Sequence, residues 1–515
     1  MKKYLSVLIV LGLLCSALVG VAEEERLDTW LTDELTTLTI ATHSGWDNVK
    51  PMPSNDLPVW QEMERLTNVH IEWQVYPVDT YVEVMNVRLA AGKDLPDIWV
   101  DNSGKTGAEL VEDGIIIDQT ELWESCYPYT QAFFQQERYA GYQSFMFQDG
   151  HFYGVGNITA STGQTYGLMI NQEWLKKLGL EMPTTTEELY NVLVAFRDKD
   201  PNGNGEKDEI PMVCEEYTLW VMANYFGLEY GGLAGGYKHT TEGMRAEFVQ
   251  PAYKEFLTYM NTLYAEKLLD QDYASCTFDK IQEYAANDRC GVVAWWIQAA
   301  PTLSGYSPYS GEENNMDVPV FVPVQTLNED NGGVIYYRLG YGGDNMRITT
   351  ACKNPELAAR WIDFSYCSPE SLSLIAYGVE GITYTVNENG EKEFIGDRIT
   401  WTTKRDEIGG SQQPRAWIQT DEMMDTTYFE WWTEIHDRFT YTMPTVYNLT
   451  FTPDERDLMS ENAADLDTYV NECRTNFMLG TLSLDQFDEY VDRCYELGLE
   501  TMLQVYESAW ERTFQ

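Results

Sequence analysis

Between Leu38 and Val100 the apolar pattern switches repeatedly between two periods, and that rhythm limits the architectures open to the chain. Leu38-Thr39-Ile40-Ala41-Thr42 alternates as a strand does, sending successive side chains to opposite faces. Leu57, Trp60, Met63 and Leu66 then recur at helical spacing, and Val69 to Val75 returns to alternation. Tyr81 to Ala91 reads as a second helix stopped by Gly92, and Leu95 to Val100 as a third strand. Strand, helix, strand, helix, strand is the order that builds a parallel sheet covered by helices.

Similar units recur. Tyr166 to Asn171 runs into Glu173-Trp174-Leu175, and Thr186 caps a helix reaching Phe196, with Glu187 and Glu188 at the positive end of its dipole. Tyr253 to Leu269 is an amphipathic helix, Cys290 to Trp296 an apolar strand, and the chain from Asp454 onward is helical. No regular short repeat is present. A length of 515 residues, 44% hydrophobic and 23% charged, suits two to four domains at about 100–200 residues each. The expected fold class is α/β, in two lobes, each a sheet flanked by helices, with a helical C-terminal region.

Residues 1–22 read as an export signal: Lys2 and Lys3, an apolar core from Leu5 to Leu14, then small residues at Gly20-Val21-Ala22. Acylation at Cys15 is the competing outcome, but Leu14 stands where a lipobox uses a small residue. The expected location is secreted, or attached to the outer face of the bacterial cell membrane. Eight further cysteines (Cys126, Cys214, Cys276, Cys290, Cys352, Cys367, Cys473 and Cys494) allow disulfides in an oxidising compartment and equally allow buried thiols. With 34 basic and 82 acidic side chains the net charge is −48, which argues against nucleic acid as a partner.

Several ordered stretches carry a family resemblance: Ala91-Gly92 to Leu95-Pro96-Asp97-Ile98, Asp149-Gly150-His151-Phe152-Tyr153-Gly154, and Ile170 to Leu180 with Pro183-Thr184-Thr185. Asp200 to Pro211, Leu263 to Lys267, Lys353-Asn354-Pro355-Glu356 and Gly378 to Tyr384 complete the set. Together they span roughly residues 37–515. The chain resembles the family 1 extracellular solute-binding proteins of bacterial ABC importers, in the long lipoprotein-type branch that includes alginate-oligosaccharide-binding proteins. The resemblance implies a periplasmic-binding-protein-like fold with several hinge crossings, closing on a ligand between its lobes. On that basis the chain divides into a signal peptide (1–22), a tether (23–36), lobe 1 (37–167 and mainly 341–425), lobe 2 (168–340) and a helical part, mainly lobe 2 (426–515). Its expected partners are an oligosaccharide and ABC permease subunits, with the protein itself a monomer.

Asp200-Pro201-Asn202-Gly203-Asn204-Gly205-Glu206-Lys207-Asp208-Glu209 places oxygen-bearing side chains at alternate positions with glycine at the sixth, as a calcium loop requires. A helix-calcium-helix loop would have glutamate at the twelfth position, where Pro211 stands. The family's shorter loop closes instead on Asp208-Glu209. Carried over by resemblance, Asp200, Asn202, Asn204, Asp208 and Glu209 are side-chain ligands and Glu206 a backbone ligand of a structural Ca2+. The competing reading is an acidic turn without metal.

Aromatics are the second signal, with 16 Trp and 34 Tyr. Sugars present flat C–H faces ringed by hydroxyls, so their clefts use aromatic platforms with polar groups at the edges. Strand ends and turns supply the candidates: Trp46, Trp99, Asp101, Asn102, Trp295, Trp296, Glu380, Tyr384, Arg415 and Trp417. For any one of them the alternative is packing in a core; Trp174, Trp361 and Trp510 have helical neighbours and are expected there. Gly104-Lys105-Thr106 is no phosphate loop, because Trp99 stands where its first glycine should be. The histidines (His43, His70, His151, His239, His436) form no HExxH pair, and chance carboxylate pairs among 82 acids do not argue for a glycosidase. The reading is a solute receptor without catalytic residues. Its alternatives are a secreted glycosidase or lyase and a peptide receptor. The negative surface favours neutral glycans over uronates, for which Arg415 is the one cationic candidate.

Overall fold

The alternating segments become strands where the pattern places them, and helices fill the intervals. In chain order the strands used below are β1 (Thr36–His43), β2 (Val69–Tyr76), β3 (Ile98–Asp101), β4 (Ile158–Thr159), β5 (Tyr166–Asn171), β6 (Ile210–Cys214), β7 (Cys290–Trp296), β8 (Phe321–Pro323), β9 (Ile335–Tyr336), β10 (Asn345–Ile348), β11 (Ile418–Gln419) and β12 (Tyr441–Thr442). The computed structural model describes residues 26–514 apart from 45–53, 102, 104, 137–145, 149, 160–165, 230–235, 312–314, 326, 329–334, 337–344, 397–407, 410–417, 420–430, 432–440, 443–445, 447–448 and 450. The expected export signal and the candidates Trp46, Asn102, Arg415 and Trp417 lie outside the described residues.

One four-stranded sheet has the order β10-β3-β1-β2 and the other β8-β5-β7-β6. In the first, β1 runs parallel to β2 and β3, but β10 joins β3 antiparallel. In the second, β7 is parallel to β6 and antiparallel to β5, which also takes β8 antiparallel. The sheets are thus mixed, not parallel throughout as the opening rhythm predicts. A strand arriving at a sheet edge from far along the chain has no helical crossover to set its direction.

Each sheet has its own core. Around the first, Leu38, Ile40, Ile98 and Val100 are buried with the helix Pro355–Cys367, which is buried on most of its circumference and holds the fully buried Trp361. Trp73 sits edge-on to Trp60 at 4.8 Å and to Trp361 at 6.5 Å, filling the space between β2 and that helix. Around the second, Cys290, Val292, Val293 and Ala294 have no exposed surface. The helix Thr186–Asp198 packs on β6 and β7, while Pro453–Leu479 packs on Pro251–Ala265. Gly154 stands at a close approach: φ is +127°, and a Cβ there would overlap the Met346 carbonyl oxygen, so only glycine lets β10 settle. All eight described cysteines are free thiols, seven of them buried.

Asp363 shows how the buried helix organises its neighbours. The helix Pro128–Phe134 has no cap from its own N-cap residue. Asp363 supplies one from outside, accepting from Tyr129 N at 3.0 Å, Thr130 N at 2.7 Å and Thr130 Oγ1 at 2.6 Å. Burial pushes the carboxyl up to about 6, against the pull of those three donors. Its native value lies above the unfolded one, so the folded state binds more protons, and this group's contribution to stability falls as pH rises from about 4 to about 6. The Asp363 carboxyl resonance should titrate with a midpoint near 6. Asp363→Asn should flatten that slope, and Asp363→Ala should lower stability by about 2 kcal/mol in denaturant titration.

Candidate functional site

In each four-stranded sheet the carboxyl ends of the parallel strands gather at one end. In the first sheet β1, β2 and β3 end at His43, Tyr76 and Asp101, and antiparallel β10 begins at that edge with Asn345 opposite Asp101. In the second, β6 and β7 end at Cys214 and Trp296, and β5 begins there with Tyr166 opposite Trp296. The chain crosses between the sheets at these edges, since β4 precedes Tyr166 and β9 precedes Asn345. Each crossing strand is paired in parallel by a later one, β4 with β11 and β9 with β12. Open α/β sheets bind ligands beyond the carboxyl ends of their strands.

An aromatic row lines this edge of the second sheet. Trp295 stacks on Phe278 at 5.3 Å with 13° between planes, and meets Tyr166 edge-on at 6.1 Å. Tyr166 in turn lies 5.5 Å from Trp220. Trp296, the last residue of β7, is 38% exposed. Trp295 and Trp296 were legible as a strand end; Tyr166, Trp220 and Phe278 come from separate stretches, and only the pairing of β5 with β7 brings them in. Glu215 follows β6, and burial raises its carboxyl above the usual range.

The first sheet corrects two candidates. Trp99 is 1% exposed, packed with Ala41, Tyr81, Met85 and Leu110, so it is core and not a stacking platform. Asp101 is 1% exposed too: it accepts from Ser103 N and Oγ at 2.8 and 2.7 Å and faces Arg347 at 3.6 Å. Both sit on β3, an inner strand covered on both faces, so nearness to a strand end does not expose them. Tyr384 is 9% exposed, and Lys392 lies over its ring and that of Tyr377, so it too packs inward; Glu380 beside it is exposed.

The proposed metal loop is a tight turn. Asp200, with φ of 46°, accepts from the backbone N–H groups of Gly203, Asn204 and Gly205 at 2.8, 3.1 and 3.0 Å. The Asn202 and Asn204 amides reach Asp208 Oδ1 at 3.1 and 3.0 Å, and Arg289 lies 3.2 Å from its other oxygen. Exposed Glu206 donates its backbone N–H to Asn204 Oδ1 at 2.7 Å. Glu209 Oε1 is buried without a hydrogen-bond partner, and burial, with Asp200 and Asp208 alongside, raises its carboxyl. Among the described residues no group of three or more His, Cys, Asp or Glu is arranged as a ready metal cluster.

An ion pair links elements of the two cores. Glu109 lies on the helix Gly107–Glu112, whose Leu110 packs with β1 and β3, and Arg456 on the helix Pro453–Leu479, which belongs to the second core. Arg456 Nε is 3.2 Å from Glu109 Oε1. Burial pushes the Glu109 carboxyl up, but the Thr106 amide and hydroxyl with the Arg456 and Lys105 charges outweigh it and hold it below its usual value. Both side chains are about one-third exposed, so screening limits the pair to about 1 kcal/mol or less. Arg456→Gln should raise the open fraction of the ligand-free protein by up to about fivefold, read as a larger radius of gyration in X-ray scattering. The difference from wild type should vanish near 1 M salt, where the screening length is about 3 Å.

Comparison with known proteins agrees with this arrangement. Residues 53–366 match the family model described as bacterial extracellular solute-binding protein. Over 525 aligned positions the chain is 26% identical to the fructooligosaccharide ABC transporter substrate-binding protein FusA of Streptococcus pneumoniae, covering 94% of this chain and 92% of that one. Its fold is similar to the alginate-binding protein AlgQ2, solved without calcium ion (TM-score 0.73, 23% identity, 94% of this chain and 100% of that one). It is also similar to S. pneumoniae FusA in complex with kestose (TM-score 0.71, 23% identity, 92% of this chain and 99% of that one). The family model covers more than half of the 515 residues, and the chain belongs to the bacterial extracellular solute-binding proteins.

Proposed function

We propose that the protein is a non-enzymatic receptor that captures an oligosaccharide between its two sheets and delivers it to the permease of an ABC importer. The observation that carries this reading is the row Trp220, Tyr166, Trp295 and Phe278, with exposed Trp296 beside it, at the carboxyl edge of the second sheet. Flat apolar rings at a hinge-flanked edge suit the C–H faces of sugars. FusA, the relative named for fructooligosaccharides, supports the same ligand class. The receptor acts as a monomer, secreted or held at the outer face of the membrane. Among the described residues no helix is long and apolar enough to cross a membrane.

Binding would work by population shift. A sugar stacked on the second sheet and touched by the first gains contacts only when the lobes meet, so its affinity difference between open and closed forms sets the extent of closure. The short ribbons of β4 with β11 and β9 with β12, two residues per strand, leave few bonds to resist that rotation. A thermal-shift panel of fructo-, malto-, cello- and manno-oligosaccharides with oligogalacturonate and alginate oligomers tests the reading, with kestose as the first probe. A neutral glycan should raise the melting temperature and be recovered intact. Trp296→Ala should weaken that glycan about tenfold while leaving the ligand-free midpoint nearly unchanged, because the ring is exposed. Cleaved glycan, or no response to any member, counts against the receptor.

The 200–209 loop fits a structural Ca2+. The charges of Asp200 and Asp208 act on Glu209, whose buried Oε1 has no donor, the condition a hard cation relieves. Asn202 and Asn204 would add oxygens once their amides turn from Asp208, and Glu206 its carbonyl. The ion would neutralise the cluster and fix the turn at the start of β6. AlgQ2, named by its lack of calcium in one structure, and FusA, studied as an EF-hand mutant, support a calcium loop in related proteins. Calcium at about 100 times its dissociation constant should add about 2.7 kcal/mol of stability, and chelator should remove it. Glu209→Gln should abolish the response to both in calorimetry.

A further inference from the structure

Gln298 lies two residues beyond β7, in the short 3-10 turn Ile297–Ala299, and is 8% exposed. Its neighbours Ile297 and Ala300 are fully buried, so the turn is fixed by packing. Both Oε1 and Nε2 are shielded from solvent, and neither has a hydrogen-bond partner. Among the described residues no other side-chain amide leaves both its oxygen and its nitrogen unpartnered. Buried amides are nearly always paired, and one that is not stands as an unmet desolvation penalty in the ligand-free protein.

Position separates Gln298 from orphaned groups inside the first core. Trp361 Nε1 sits deep in the first core, and Arg347 Nε faces the Asp101 carboxylate. Gln298 instead follows exposed Trp296 at the crossing edge, where its turn packs against β5 and the start of the helix Ala300–Tyr306. We infer that Gln298 is a specificity-determining anchor of the sugar site, its amide taking two adjacent hydroxyls of one sugar ring, one donating to Oε1 and one accepting from Nε2. This rests on the receptor reading. An amide offers one acceptor and one donor side by side, and hydroxyls can answer both. A carboxylate answers only the donor and sets its charge against Oε1, so the amide selects a unit that presents a vicinal diol to it. A sugar lacking either hydroxyl leaves half of the amide unpaired, the arrangement by which polar sites discriminate most strongly.

Gln298→Met tests this, because it keeps the shape and removes both polar atoms. In the full chain the ligand-free melting temperature should stay level or rise, since an unpaired buried amide has been replaced by an apolar group. Affinity for the panel glycan that stabilises wild type should fall about tenfold or more in calorimetry. Monodeoxy analogues of that glycan give a second measurement. Wild type should reject the analogue missing one of the paired hydroxyls by about tenfold, and Gln298→Met should bind it as well as it binds the parent. A lower ligand-free midpoint in the variant would mean that the amide holds a structural water, and overturns the inference. Unchanged affinity for the parent glycan overturns it and leaves the receptor reading intact. A wild type that answers no glycan overturns both.

Discussion

Asp101 and Arg347 face each other across the junction of β3 and β10 at 3.6 Å, each side chain 2% exposed. Two charges removed from water together are held by their mutual attraction, and removing one strands the other at a loss of about 3–5 kcal/mol. The pair therefore fixes where the chain re-enters its first sheet after visiting the second. Asp101 also closes the turn at Ser103, so one carboxylate ends β3 and secures β10. The register of that return sets Asn345 opposite Asp101 and thereby the position of the crossing segment that precedes it.

From this anchoring follows a division of mechanical labour. The four-stranded sheets have buried inner strands braced by helices, whereas the crossing strands pair over two residues each. Rigid bodies joined by thin ribbons move about the ribbons. The Glu109–Arg456 contact is partly exposed and weak, suited to breaking and re-forming as the cores part. Preorganised polar strength is kept inside the first lobe, in Asp363 over its helix and in Tyr81, whose hydroxyl donates to the carbonyls of Ala41 and Val100 at 3.0 and 2.6 Å.

What the sequence made legible was local. The β1 to β3 rhythm follows from side-chain periodicity alone, and the turn at Asp200 to Glu209 from residues whose spacing dictates where oxygens can converge. Trp295 and Trp296 were readable because they close a strand with an obvious apolar interior. Failure came where distant segments decide. The antiparallel β10, which makes Trp99 and Asp101 interior, arrives from beyond the second sheet and leaves no mark near residue 100. Tyr166, Trp220 and Phe278 gain meaning only from their partners. Gln298 has no pattern at all, because an unpaired amide is visible only when its surroundings are known to be dry.

The buried thiols bear on how such a chain survives outside a reducing cell. Burial raises Cys276, Cys352 and Cys494 to about 12 and holds Cys214 and Cys367 well above the ordinary thiol value. Only the thiolate attacks a disulfide or an oxidant, so the folded chain is chemically quiet despite its sulfur content. The unfolded chain enjoys no such shelter. Maturation thereby becomes a race between collapse of the two cores and scrambling by oxidants, in which the fold itself serves as the protecting group.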